Sequence, residues 1–286
     1  MKLFKRIFTA AVLCLIVISI AGIIYVLQFQ EEPSVIKEPK KATKQIKQTK
    51  VIAGAKVGPL PVKSAPLREV AIIVDDIGYS LSAAKELKDI NADLTFAILP
   101  FQAHTREAAE MFHNANKEIL LHLPMEPVSY PREKPGEGAL FTDMNDEELV
   151  LQLKKNIADV PYISGVNNHM GSKFMTDEKK LILIFNELKK KKLFFVDSRT
   201  SNDTKAHWAA KKTGLQIAER KIFIDNNRDY NKVYANLINI TKDNDLSPRI
   251  IIGHPYPETI RALKKATKVL QEKGVSIVPV SEIVNK

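Results

Sequence analysis

Two adjacent carboxylates, Asp75 and Asp76, end the apolar run of "AIIVDDIGYS" and are followed by a glycine. Other apolar runs end in single polar residues in the same way: His122 in "EILLHLP", His169 in "GVNNHM", Asp197 in "FFVDS" and His254 in "IIIGHP". Like charges side by side are costly unless a cation neutralises them. The pair therefore points to a metal with an activated water beside it. A lone aspartate after a strand is ordinarily a turn or capping residue. Two of them, with three histidines at equivalent positions, call for more than that.

Histidine and aspartate together favour a borderline divalent metal such as Zn²⁺ over Mg²⁺ or Ca²⁺. A catalytic zinc keeps three protein ligands and one open position, and Asp76, His122 and His169 form a set of three. Glu126, four residues after His122, is an alternate or outer ligand. Consecutive residues point in different directions, so Asp76 can hold the metal while Asp75 takes a proton from water. His254 is placed to protonate a leaving amine. Asp197 is assigned to orient that imidazole, and Arg199 to pair with Asp75 and keep it ionised.

The remaining candidates carry less. His104 opens a helix beyond the second strand, and His113 and His207 fall within helical patterns as packing or exposed residues. Trp208 reads as barrel packing. Tyr79, Tyr130 and Tyr256, beside rim motifs, are candidates to line a groove for sugar rings.

These residues need elements to bring them together. From Val70 onward short apolar runs alternate with amphipathic segments, giving eight expected strands and seven expected helices. Unbroken apolar strands fit a parallel sheet buried on both faces. The expected fold is α/β, an irregular (β/α) barrel, with a doubly wound sheet as the alternative. The barrel is favoured because the polar residues fall at strand C-terminal ends, where barrels assemble chemistry.

The N-terminal part differs in character. Residues 7–27 contain no charge and follow Lys2, Lys5 and Arg6, as expected of a transmembrane helix with the remainder outside. The expected organisation is a membrane anchor or uncleaved signal over 1–28, a basic disordered linker over 29–69, and the barrel over 70–286. If the first segment is cleaved, the barrel is secreted. The single cysteine, Cys14, lies in the apolar segment, so the exported part has no disulfide and depends on its core. Of the net charge of +10, residues 1–69 carry +8. The basicity belongs to the tether, near anionic lipid or wall polymer, and argues against nucleic acid as a partner.

Taken in order, "IIVDDIGYS", "LTFAILPF", "LLHLPMEP", "GVNNHMGSKF", "FFVDSRTS" and "IIGHPYPETI" resemble the divergent polysaccharide deacetylase family, a branch of the NodB-like carbohydrate esterases. The resemblance covers residues 70 to 284. It implies an irregular (β/α) barrel, a divalent metal, and hydrolysis of N- or O-linked acetyl groups on a polysaccharide, here of the cell envelope. It implies Asp75 as catalytic base, Asp76 as metal ligand, His122 as first histidine of an H-x-x-x-H motif and His254 as catalytic acid. The second histidine of that motif is replaced by Glu126, and His169 stands as its spatial substitute. A catalytically silent glycan-binding or scaffold protein on the same fold is the competing expectation. A phosphoester hydrolase is less favoured, because the rim has few lysines or arginines to hold phosphate.

Overall fold

The computed structural model describes residues 68–242 and 245–284. The expected anchor and almost all of the expected linker lie outside these residues. Among the described residues no helix is long and apolar enough to cross a membrane. The first strand begins at Arg68, two residues inside the stretch expected as linker.

Among the described residues, eight parallel strands occur in chain order: β1 (Arg68–Ile77), β2 (Thr95–Ile98), β3 (Glu118–Met125), β4 (Gly165–Met170), β5 (Phe194–Asp197), β6 (Ile217–Phe223), β7 (Arg249–Gly253) and β8 (Val275–Ile277). The expectation of alternating strands and helices holds, but closure does not use all eight. One edge of β1 pairs with β7 over Val70–Val74. Its other edge pairs with β8 over Arg68–Val70 and then with β2 over Ile73–Ile77. Seven strands thus close the barrel, and the three-residue β8 fills the gap beneath β2. The closed ring excludes the doubly wound alternative.

The seven expected helices all form: α1 (Leu81–Lys88), α2 (Thr105–Asn114), α3 (Asp146–Asp159), α4 (Glu178–Lys190), α5 (Ala206–Thr213), α6 (Tyr230–Asn239) and α7 (Pro257–Glu272). Local chemistry starts them. Ser80 and Asp177 accept the backbone N–H of Ala83 and Lys180 at the starts of α1 and α4. Asn145 and Glu148 form a reciprocal capping box on α3. Gly214, at a φ of 68°, ends α5 in a left-handed conformation that costs glycine little.

Most strands bury both faces; β6 is the exception, with Glu219, Lys221 and Ile222 exposed. Val70, Ile72, Val74, Leu121, Val166, Phe195, Ile224 and Ile251 pack outward into the helix layer. Ala71, Ile73, Ala97, Leu120, Phe194, Val196, Ile250 and Ile252 fill the barrel interior. The stretch "VSIVPVS", expected wholly as strand, instead turns after Ile277 into a short α8 (Val280–Val284). Val280 and Val284 enter the interior cluster and close the barrel's lower end. Burying each contributes on the order of 1.5–3 kcal/mol. The opposite, C-terminal end of the strands stays open to function.

Candidate metal and acid–base site

Strand parity decides which polar residues meet. On β3, Leu120 is interior, so His122 faces the mouth. On β4, Val166 is exterior, so Asn167 and His169 face inward. On β7, Ile250 and Ile252 lead inward to His254. Asp75 shares the parity of Ala71 and Ile73 and also points in. Asp76 shares that of Ile72 and Val74 and in a regular strand would face the helices. A bulge prevents this. Between the pairs Val74–Phe96 and Ile77–Ile98, β1 carries one residue more than β2, and Asp76 adopts a φ of 56°. Such a conformation is strained for aspartate. It turns the second carboxylate to the rim beside the first.

Asp76 Oδ1 lies 3.2 Å from His122 Nε2 and 2.9 Å from His169 Nδ1, and the two imidazole nitrogens are 3.1 Å apart. These three residues can offer one ligand atom each to a single point. The network behind them sets their protonation. Asn167 Nδ2 donates to Asp75 Oδ1 at 2.8 Å, which leaves its Oδ1 to accept from His122 Nδ1–H at 2.9 Å. His122 Nε2 is then the nitrogen that faces the carboxylate and the second ring, and it offers a lone pair whenever the ring is neutral. Asp76 Oδ1 itself is buried without a well-formed hydrogen bond. A carboxylate oxygen and two imidazole nitrogens converging within 3.2 Å of one another fit a cation.

The charges respond accordingly. Burial pushes the Asp75 carboxyl above the ordinary range, the pull of His122 and His254 notwithstanding. Burial also acts upward on Asp76, but the two imidazoles beside it outweigh that and hold it far below the ordinary range. On His122 burial acts downward, and the Asp75 and Asp76 carboxylates raise it overall. On His254 burial again acts downward, and the bond to Asp225 and the charge of Asp75 lift it to about 9.

Three sequence assignments are corrected. The partner of His254 is Asp225, which accepts from its Nδ1 at 3.0 Å and from its backbone N–H at 2.6 Å. Asp197, expected in that role, has exterior parity next to Phe195 and Val196. Its carboxylate accepts from Arg199 N–H at 2.7 Å and the Thr204 hydroxyl at 2.8 Å. Arg199, expected to pair with Asp75, reaches Glu219 at 3.6 Å instead. Arg220, of interior parity on β6, is the guanidinium that feels the Asp197 and, less strongly, the Asp75 carboxylate. It donates to the Ser198 and Arg199 carbonyls at 2.7 and 3.1 Å and lies 3.8 Å over the Phe223 ring.

Glu126, expected as alternate or outer ligand, stands apart from the cluster. It lies past the end of β3, where Lys173 meets one carboxylate oxygen at 2.7 Å and the Thr142 N–H and hydroxyl meet the other at 2.8 and 2.6 Å. It staples the loop after β3 to the start of the 3₁₀ turn at Phe174–Thr176.

Asn167, Asp225 and Arg220 went unassigned in the sequence. Asp225 carried a readable signal, since "KIFIDN" is an apolar run ending in aspartate like those ending in Asp75 and Asp197. Asn167 had a signal too: it lies two residues before His169, on the same strand face.

The other aromatic and imidazole residues sort by exposure. His104 contacts Glu107 at 3.3 Å, and His113 stacks on Tyr162 with ring centroids 3.9 Å apart. Tyr79 and Tyr130 are exposed, and the Tyr256 hydroxyl accepts from Arg228 at 3.0 Å. Trp208, expected in the packing, is 59% exposed.

A closed parallel barrel with carboxylates and imidazoles gathered at the C-terminal ends of its strands belongs to the class that builds its working site at that rim. Residues 72–284 match the family model described as divergent polysaccharide deacetylase, and the chain belongs to that family. It is 33% identical over 222 residues to the uncharacterized protein YibQ of Escherichia coli K12, covering 76% of this chain and 68% of that one. An uncharacterized protein of Haemophilus influenzae Rd is 31% identical over 210 residues, covering 71% and 72%. Among solved structures, an uncharacterized protein from Agrobacterium tumefaciens C58 superposes with a TM-score of 0.72 at 22% identity, over 78% of this chain and 92% of that one. That likeness supports the fold alone.

Proposed function

We propose that the protein is a metal-dependent hydrolase that removes acetyl groups, N- or O-linked, from an envelope polysaccharide. The observation that carries this reading is the contact of Asp76 Oδ1, His122 Nε2 and His169 Nδ1, all within 3.2 Å of one another, with Asp75 buried beside them. A divalent cation on these three residues, with zinc the best match to the donors, supplies Lewis acidity that polarises an acyl carbonyl and acidifies water.

The chain's own groups do the proton work. Asp75, whose pKa burial raises above the ordinary carboxylate range, accepts in its ionised form a proton from the attacking water as its oxygen bonds to the acyl carbon. Asn167 holds Asp75 and His122 in register. His254, protonated at neutral pH because of Asp225, gives its proton to the leaving nitrogen or oxygen as the C–N or C–O bond breaks. Asp225 keeps that imidazole oriented with its Nδ1–H turned away from the reacting atoms.

On this reading the barrel works on the extracytoplasmic side, tethered through residues 7–27 or secreted if that segment is cleaved, which the uncharged run behind Lys2, Lys5 and Arg6 supports. Acetate release from acetylated glycans by the purified protein, assayed with metal analysis and an Asp75→Asn variant, tests the reading. Glycan binding with no bound metal and no acetate release would instead establish a silent binding protein.

A further inference from the structure

His254 leaves the end of β7 in the stretch "HPYPE", in which Tyr256 has a proline on each side. Pro255 presets the backbone for a tight turn, and the Tyr256 N–H closes that turn on the His254 carbonyl at 2.8 Å. Pro257, the first residue of α7, keeps the residue before it out of the helical region, and Tyr256 is extended at φ −72° and ψ 147°. The two prolines leave the Tyr256 backbone little freedom. Its ring is set 5.5 Å from the His254 ring, centroid to centroid, at an interplanar angle of 31°. Phe223, at the end of β6, places a second ring 5.7 Å from the same imidazole at 26°. Both distances fall in the range of paired aromatic rings, roughly 4.5–7 Å.

Each of these rings is held in turn by a guanidinium. Arg228, in the loop before α6, lies 3.9 Å over the Tyr256 ring and donates to its hydroxyl at 3.0 Å. Arg220 lies 3.8 Å over the Phe223 ring and is anchored on the Ser198 and Arg199 carbonyls. Asp225 grips one edge of the His254 imidazole through Nδ1. A hydrogen bond along one edge leaves a ring free to pivot about that bond, and rings stacked against it restrict the pivot. They also present π systems within about 6 Å, which favour the imidazolium over the neutral ring.

We propose that Tyr256 is a positioning residue for the proton donor, its ring and that of Phe223 confining the His254 imidazole while Asp225 holds its Nδ1. The role of His254 as donor rests on the deacetylase reading, while the confinement of its ring does not. The two prolines and Arg228 keep the Tyr256 ring at its station. The charged groups around the imidazole are Asp225, Asp75 and Asp76, with Arg220 and Arg228 on the two rings. Replacing Tyr256 changes none of these charges.

Nitrogen NMR of the full chain, labelled at its histidine rings, reads the protonation midpoint of His254 without turnover. Acetate release gives kcat and KM for the same variants. The wild-type midpoint is expected at about 9. Tyr256→Leu should lower it by about half a pH unit through loss of one cation–π contact. The same variant should lose kcat on the order of tenfold with KM little changed. Tyr256→Phe, which keeps the ring and loses only the hydroxyl, should hold the midpoint and most of kcat. A drop of half a unit already present in Tyr256→Phe assigns the effect to the hydroxyl and overturns the proposal, whether or not Tyr256→Leu folds. A rise in KM with kcat intact makes Tyr256 a substrate contact and overturns it too. If acetate is released and the Tyr256→Leu midpoint stays in place, the positioning role fails and the deacetylase reading stands. A lowered midpoint with no acetate release by the wild type does the reverse.

Discussion

Asp225 accepts three hydrogen bonds, two from His254 through its backbone N–H at 2.6 Å and its Nδ1 at 3.0 Å, and one from the Thr259 hydroxyl at 2.9 Å. The carboxylate thus fixes both the position of the strand end that carries His254 and the tautomer of its ring. Asp225→Asn keeps the volume and removes the charge. The turnover rate should fall by roughly 10²–10⁴, the usual worth of a positioned acid. The alkaline limb of the rate profile should move to lower pH. Asp197→Asn should leave that limb in place, and a shift with Asp197→Asn rather than Asp225→Asn would return the pairing to Asp197.

The wild-type pH profile has two limbs with definite signs. His254 must be protonated, and its value is raised to about 9, so activity persists through neutral pH and is lost as pH rises through about 9. Asp75 must be ionised and is raised by burial, so activity is lost on acidification at a pH above the ordinary carboxylate value of about 3.9. The same linkage acts on folding. The stability that His254 contributes is complete below about 6.5 and disappears as pH climbs through about 9. A rate measured from pH 4 to 11 that keeps rising through the alkaline range contradicts the acid role.

A cation that binds only the folded chain stabilises it by mass action, by about 2.7 kcal/mol at a hundred times its Kd. Added Zn²⁺ should therefore raise the Tm of the chelator-treated protein. His169 is partly exposed at the rim, so His169→Ala should fold, and the Zn²⁺-dependent rise should largely vanish in it. An equal rise in the variant would place the ion elsewhere.

Glu126→Gln separates a staple from a ligand. The carboxylate is buried and takes bonds from Lys173 and Thr142. Its loss should cost about 1–3 kcal/mol in denaturant unfolding, with bound metal unchanged. A fall in metal content with normal stability would restore Glu126 as a ligand.

Gly165 tests the packing inside the barrel. A Cβ there would lie 2.4 Å from the Phe194 ring, closer than real atoms approach. Gly165→Ala should destabilise by about 1–3 kcal/mol through overpacking. Phe194→Leu in the same chain should recover part of that loss, and no recovery would mean the clash is not with this ring.

The elements themselves were legible. Helices such as α3 and α7 have three-to-four spacing, a capping residue or proline at the start, and a polar face, all of which are local properties. Rim residues ending apolar runs were legible too, which is why Asp75, Asp76, His122, His169 and His254 stood out. Parity was not. Runs such as "LFFVDS" and "RIIIGHP" are apolar on both faces because helices cover one side and the barrel interior the other. A strand without alternation does not say which way its terminal side chain points.

The order of residues by itself determined the strand and helix sequence, the family, and the polar residues that close each strand, because propensity, capping and apolar runs act over a few neighbours. Only the tertiary structure decided that seven strands close the ring, that a bulge turns Asp76 to stand beside Asp75, and that Asp225 rather than Asp197 holds His254. Those outcomes depend on closure, register and an extra residue in one strand, and each is a relation between segments far apart in the chain that no local pattern encodes.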